Sequence, residues 1–222
     1  MTINLRPGST VVFVGDSITD CQRLESEDGL GFGYPLRVAG EWDFRYSHRA
    51  VNWLNVARGG DKVMDLEARW RADVLGARPN VVSILVGIND VGWQTLSPQG
   101  RPIPLGEFEA GYDRLLAPLT EAGTTVIMIE PFLLPIRGVV EAGRGYALIG
   151  EKERKEWRAD LDPKIEVVRE LARRHGAHLI GADDMFAKLA ATTGPEYWAA
   201  DGIHPTPAGH AALAAAWLRL VT

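Results

Sequence analysis

The sequence predicts one α/β domain in which a mostly parallel, five-stranded sheet lies between two layers of helices. Two observations carry that expectation. Short runs that are apolar on both faces alternate with longer segments of helical periodicity, and no repeat, low-complexity tract or linker interrupts the alternation. Strands that are hydrophobic throughout suit a parallel sheet covered on both sides. Their regular alternation with helices is the pattern of a three-layer α/β/α architecture.

In chain order, the strands are TVVFV (Thr10–Val14), VNWLNV (Val51–Val56), VVSILV (Val81–Val86), TVIMIE (Thr125–Glu130) and AHLIGA (Ala177–Ala182). Between them, Val63, Leu66, Trp70 and Val74 form one helical stripe. Phe108, Tyr112, Leu115 and Leu119 form a cleaner one, at spacings of four, three and four. Pro118 and Pro163 are expected to kink or divide their helices, since proline lacks the N–H and crowds the preceding turn. The last helix, about Pro207 to Leu220, has Thr206 as N-cap and Pro207 in its first turn. Its buried side carries Leu213, Ala216, Trp217 and Leu220. Two connections are long, Ile88 to Pro104 and Pro131 to about Gly150, and both leave the carboxyl ends of strands, where open α/β sheets hold ligands. Loops of that length are often functional, and a role in subunit contact is an equal reading.

At 222 residues, 46% hydrophobic and 24% charged, the chain fits a single domain, residues 1–222. A net charge of −5 gives no cationic footprint for nucleic acid or anionic lipid. Cys21 is the single cysteine, so no intramolecular disulfide is possible. The opening MTINLRPGST lacks the basic-then-apolar order of a signal peptide, and no apolar run approaches the roughly 18 residues of a membrane span. A cytoplasmic protein without membrane association is expected.

Polar residues collect at the strand ends. GDSITD follows the first strand, NVARGGD the second and GIND the third, and DGIHP precedes the last helix. Ester hydrolysis needs a nucleophile, a base, a group that orients the base, and donors for the oxyanion. Ser17 suits the first role, His204 the second, and Asp201, three residues earlier, the third. The Ser17 N–H, the N–H of Gly59 or Gly60, and the Asn89 amide are candidate oxyanion donors. Gly15 allows a tight turn that delivers Ser17 to the sheet edge, and Asp16 and Thr19 brace that turn through local hydrogen bonds.

These four blocks, in this order and spanning Gly15 to Pro205, resemble those of the SGNH (GDSL) hydrolase superfamily. The resemblance implies a flavodoxin-like fold, a catalytic triad of Ser17, Asp201 and His204, and an oxyanion hole of Ser17, Gly60 and Asn89. It implies no cofactor and no metal. The longer strings FVGDSITDC, VSILVGINDVGWQ and HPTPAGHAALAAAWL look closest to the branch of intracellular serine acetylxylan esterases. That branch implies an acetylated xylo-oligosaccharide as substrate and a homo-oligomer. One position departs from the pattern. Ala57 stands where the second block has its first glycine; the register from Asp61 favours Gly60 as donor, with Gly59 open.

Asp16, Trp93 and Trp198 are candidate substrate contacts, although packing is the default for each tryptophan. Asp90 is expected to be structural, His210 to pack or cap, and Cys21 to be a buried, inert thiol with no base beside it. Three rival functions remain. The chain could act on aryl or lipid esters or thioesters. It could be a metal-dependent phosphoesterase using Asp16, Asn89, Asp201 and His204, or a carbohydrate-binding domain without catalysis. An α/β-hydrolase fits poorly, because Ser17 lacks the Gly-x-Ser-x-Gly elbow.

Overall fold

The computed structural model describes residues 2–91, 101–137, 140–141 and 148–222. The strands are β1 (Thr10–Gly15), β2 (Asn52–Asn55), β3 (Val81–Leu85), β4 (Thr125–Ile129), β5 (Val140–Glu141), β6 (Leu148–Ile149) and β7 (His178–Ile180). β5 and β6 form a small antiparallel pair, and the other five make one sheet in the order β2-β1-β3-β4-β7. All four pairings in that sheet are parallel. Counted among its own five strands the order is 2-1-3-4-5, the flavodoxin-like arrangement, with its switch point at β1 and β3.

Among the described residues seven α-helices accompany the sheet: α1 (Ser17–Asp20), α2 (Tyr34–Arg45), α3 (Val63–Asp73), α4 (Leu105–Glu121), α5 (Glu151–Arg174), α6 (Ala182–Thr193) and α7 (Pro207–Leu218). Successive strand residues point to opposite faces. Val11 and Phe13 therefore join a core with Tyr34, Trp42, Leu213 and Trp217 of α2 and α7. Val12 and Val14 join the other core, with Leu66 and Trp70 of α3 and Phe108, Tyr112 and Leu115 of α4. Burying each such large side chain stabilises the fold by about 1.5–3 kcal/mol before entropy is counted, so neither face can be left open. This explains why the strands read as apolar throughout.

Two expectations need correction. Pro118 and Pro163 lie inside continuous helices, α4 and α5, and divide neither. The carbonyls they deprive of a donor, four residues earlier, belong to exposed Arg114 and Ala159, where solvent replaces the lost bond. The last helix ends at Leu218, with Leu220 half-buried beyond it. There the chain turns into a parallel bridge between Ile3 and Val221 that joins the two ends of the domain. Thr206 caps α7 as expected, accepting from the Gly209 N–H at 3.3 Å. Of the two long connections, residues 92–100 and most of 138–147 fall outside the described residues.

Gly15 closes β1 opposite Leu85 of β3, where there is no room for a side chain. A Cβ there would sit 2.0 Å from the Leu85 carbonyl oxygen. Gly15→Ala is therefore expected to cost roughly 1–3 kcal/mol or more and to lower the thermal midpoint by several degrees. Gly40→Ala, inside α2 with open space around it, should leave the midpoint unchanged or raise it. Thermal unfolding of both variants by circular dichroism checks the pair.

Candidate active site

Ser17 is the first residue of α1, immediately beyond β1. Asp16 is the N-cap, its Oδ1 accepting from the Ile18 N–H at 3.0 Å. Across the cleft, the stretch before α7 is held by its own aspartate. Asp201 Oδ1 accepts from the N–H groups of Ile203 and His204 at 2.9 and 2.7 Å. The other oxygen, Oδ2, lies 2.6 Å from His204 Nδ1. Gly202 makes this turn possible: its φ is +84°, and a Cβ would stand 2.7 Å from the Leu134 carbonyl. With Nδ1–H directed at the carboxylate, His204 Nε2 presents a lone pair to Ser17 Oγ, 2.9 Å away. Hydroxyl, imidazole and carboxylate thus stand in one line of contact.

The loop after β2 crosses beside Ser17, and its backbone donors can be accounted for one by one. Val56 N–H donates to Phe13 O, Arg58 N–H to Gly15 O and Asp61 N–H to Arg58 O. Ala57 N–H donates to the Asn55 side chain and Gly59 N–H to Asp20 Oδ2. The Gly60 N–H, on a residue with φ +88°, and the Ser17 N–H have no acceptor among the described residues. The third candidate donor, Asn89, sits in the turn Ile88–Asp90 after β3. One hydrogen of its Nδ2 is held by the Asp61 carbonyl at 3.0 Å, which fixes the amide orientation and leaves the second hydrogen.

The model of the GDSL-like Lipase/Acylhydrolase family matches residues 13–212. The chain belongs to that family. It is therefore a carboxylic ester hydrolase of the GDSL/SGNH type, and it is 32% identical over 219 residues to an acetylxylan esterase of Geobacillus stearothermophilus, covering 96% of this chain and 93% of the relative. The crystal structure of Axe2, an acetylxylan esterase from Geobacillus stearothermophilus, superposes with a TM-score of 0.82 at 30% identity, over 98% of this chain and 95% of that one. LAE5, an alpha/beta hydrolase enzyme from the metagenome of Lake Arreo, Spain, is 29% identical with a TM-score of 0.80, over 97% and 95% of the two chains.

Within this GDSL-family esterase, charge and burial work against each other along the histidine. Burial alone would lift the Asp201 carboxyl, but the His204 hydrogen bond and charge, with two backbone N–H groups, hold it below the usual carboxylate value. Burial likewise opposes protonation of His204, yet the hydrogen bond and charge of Asp201, helped by Asp16, raise its pKa above 6.5. Asp16 and Asp90 are buried deeply enough that both carboxyls are pushed up to about 7.

The cleft beside Ser17, about 530 Å³, is lined by Ser17, Asp20, Cys21, Gln22, Glu25 and His204, with Leu24 at its rim. Asp16 has no exposed surface, so it is an internal brace and not a substrate contact. Trp198 packs on the core and donates its ring N–H to Thr193 at 2.7 Å, outside the residues lining the cleft; Trp93 lies outside the described residues. Asp16, Asp201 and His204 form no ligand set for a metal ion, and the Asn89 amide is turned to the Asp61 carbonyl. Among the described residues no group of three His, Cys, Asp or Glu side chains could hold a metal ion.

Cys21 also departs from expectation: it is half-exposed, and His210 Nε2 lies 3.6 Å from its sulfur. His210 Nδ1 accepts from the Tyr34 N–H, so the ring offers Nε2–H as a donor. Burial, reinforced by Arg37 and His204, pushes this imidazole down to about 4, while burial and nearby Asp20 raise the thiol. The pair stays neutral. The sequence reading also missed Asp20 and Arg69, whose contacts tie the Gly59–Asp61 loop from either side.

Asp90 accepts the Val63 N–H at 3.1 Å through Oδ1, while its buried Oδ2 has no partner among the described residues. Its folded pKa exceeds the unfolded one, so the native state holds a proton that the unfolded chain has released. Stability is therefore lost as pH rises from about 4 towards 7. Asp90→Asn keeps the acceptor for Val63 and removes the ionisation. Its thermal midpoint should exceed the wild type's at pH 8 and converge with it near pH 4, measured as paired melts across that range.

Proposed function

We propose that the chain is a serine esterase that removes small acyl groups, acetyl foremost, from acetylated oligosaccharides such as xylo-oligosaccharides. The observation that carries the reading is the contact line from Ser17 Oγ through His204 to Asp201, beside two unengaged backbone N–H groups and an oriented amide. Solved forms of Axe2 include catalytic mutants with alanine in place of a serine, a histidine, and an aspartate three positions before that histidine. The same three residue types, with the same Asp-to-His spacing, meet here.

In this mechanism His204 takes the Ser17 proton as the oxygen attacks the ester carbonyl, and Asp201 holds the tautomer and offsets the imidazolium charge. The oxyanion rests on the N–H groups of Ser17 and Gly60 and on the free Asn89 hydrogen. Because Gly59 already donates to Asp20, Gly60 is the loop donor. Proton return from His204 releases the alcohol. A water activated by the same imidazole then hydrolyses the acyl-enzyme. Donors fixed before the reaction cost no reorganisation when charge develops, which is the main source of rate in such sites. The preference for an acetyl sugar rests on the likeness to the acetylxylan esterase.

Ser17→Ala should abolish turnover with its thermal midpoint retained, and Asn89→Ala should lower kcat by about 10²–10³. A near-normal rate in either variant removes that assignment. Because the base must be neutral and its pKa is raised, kcat/KM should rise with pH through a limb lying above 6.5. Rates on acetylated xylo-oligosaccharides and on p-nitrophenyl esters of increasing chain length test the substrate. A strong preference for long acyl chains would overturn the acetyl assignment and leave the triad standing.

A further inference from the structure

We propose that Asp20 is a positioning residue for the oxyanion-binding loop, acting through Gly59; the inference rests on the serine-esterase reading above. Asp20 is the last residue of α1, three beyond Ser17, so its place is fixed by the same short helix that presents the nucleophile. Its Oδ2 accepts the Gly59 N–H at 2.9 Å, across 39 positions of sequence. Its Oδ1 accepts the Arg23 N–H at 3.2 Å. The Arg23 guanidinium then reaches the same loop, donating through Nε to the Ala57 carbonyl at 2.5 Å. Two side chains from one turn thus grip the loop from the nucleophile side.

The loop needs such a grip. Gly59 and Gly60 have no side chains to pack, and adjacent glycines are the residues that lose most conformational freedom on folding. The loop also runs against the nucleophile: a Cβ built on Gly59 would lie 3.8 Å from Ser17 Cβ and 3.6 Å from Asp20 Oδ2. A small rotation of the Gly59–Gly60 peptide would turn the Gly60 N–H away from the developing charge. A carboxylate is a strong acceptor for this purpose, because hydrogen bonds to an ionised partner are shorter and stronger than neutral ones. On the far side, Asp61 is clamped by Arg69 at 2.9 and 2.6 Å, and its carbonyl orients Asn89. Asp20 therefore links the Ser17 helix to a unit that already contains the other two donors.

The test compares wild type with Asp20→Ala and Asp20→Asn, using p-nitrophenyl acetate and a p-nitrophenyl phosphonate that labels the active serine. Asp20→Ala should lower kcat by about 10- to 100-fold with KM little changed, the scale of a misplaced rather than deleted donor. Phosphonylation should slow by a similar factor, because it too develops charge on oxygen, and the acidic limb of the pH profile should not move. Asp20→Asn, whose amide oxygen still accepts the Gly59 N–H, should recover most of the rate. If Asp20→Ala does not fold, Asp20→Ser serves in its place. A kcat within about twofold of wild type in the alanine or serine variant overturns the proposal. So does an asparagine variant that recovers nothing. With Asp20 intact, Ser17→Ala at the wild-type rate would instead sink the underlying esterase assignment, and this inference with it.

Discussion

The parallel pairing of β1 with β3 is the constraint from which the cleft follows. Gly15 lies opposite Leu85, so the two strands end level and the chain leaves both at one edge. From β1 the chain continues through α2 to β2 on one side, whereas from β3 it continues through α4 to β4 on the other. Right-handed crossovers then place α2 and α4 on opposite faces of the sheet, as the two core clusters record. The departing segments diverge, and a crevice opens between them. Ser17 and Asn89 both belong to this edge because each follows the end of its strand within a few residues.

The crevice alone orients nothing. Orientation comes from backbone groups that are satisfied elsewhere, leaving a few that are not. Along the loop after β2, each N–H from Val56 to Asp61 has an acceptor except that of Gly60; Lys62 continues the series by donating to Asp65. A hydrogen-bonded backbone cannot swivel without losing several bonds at once, each worth about 1 kcal/mol net. The single unengaged donor is thus held by its neighbours. Asp201 works in the same way on the opposite wall: one oxygen fixes the turn and the other fixes the imidazole. Burial would weaken a lone carboxylate here, and only the histidine and the two N–H groups keep it charged.

Much of this was legible in the sequence, and the remainder divides by physical cause. The five strands and the helical stripes could be read because burial on both faces leaves a continuous apolar signal. Asp201 and His204 could be read because their contact is local, three residues apart in a glycine turn. Ser17 could be read from its place after a strand together with the other blocks. The link from Asp20 to Gly59 could not, because Asp20 in GDSITD looks like any helix-end acid until the loop is laid against it. The same holds for Cys21 and His210, brought together across 189 positions, where the sequence suggested a thiol with no base nearby. Proline divides neither α4 nor α5, because the residue type reports a lost bond but not which face of the helix carries it.

The acids beneath the cleft show where stability is given up. Asp16 Oδ2, Asp90 Oδ2 and the Tyr112 hydroxyl are all buried without a partner among the described residues. Asp16 and Asp90 follow the ends of adjacent strands and interact electrostatically with each other and with Tyr112. A core built for stability alone would fill this volume with aliphatic side chains, because an unsatisfied buried polar group costs about 1–3 kcal/mol. Asp16 does something an aliphatic residue could not. It caps the turn that carries Ser17, and its charge helps to raise the pKa of His204. Asp90 holds the first N–H of α3, next to the loop that carries Gly60, and so braces the opposite side. The polar cost is thus concentrated at the one edge where the backbone must turn sharply and present donors, and the apolar layers on both faces of the sheet offset it.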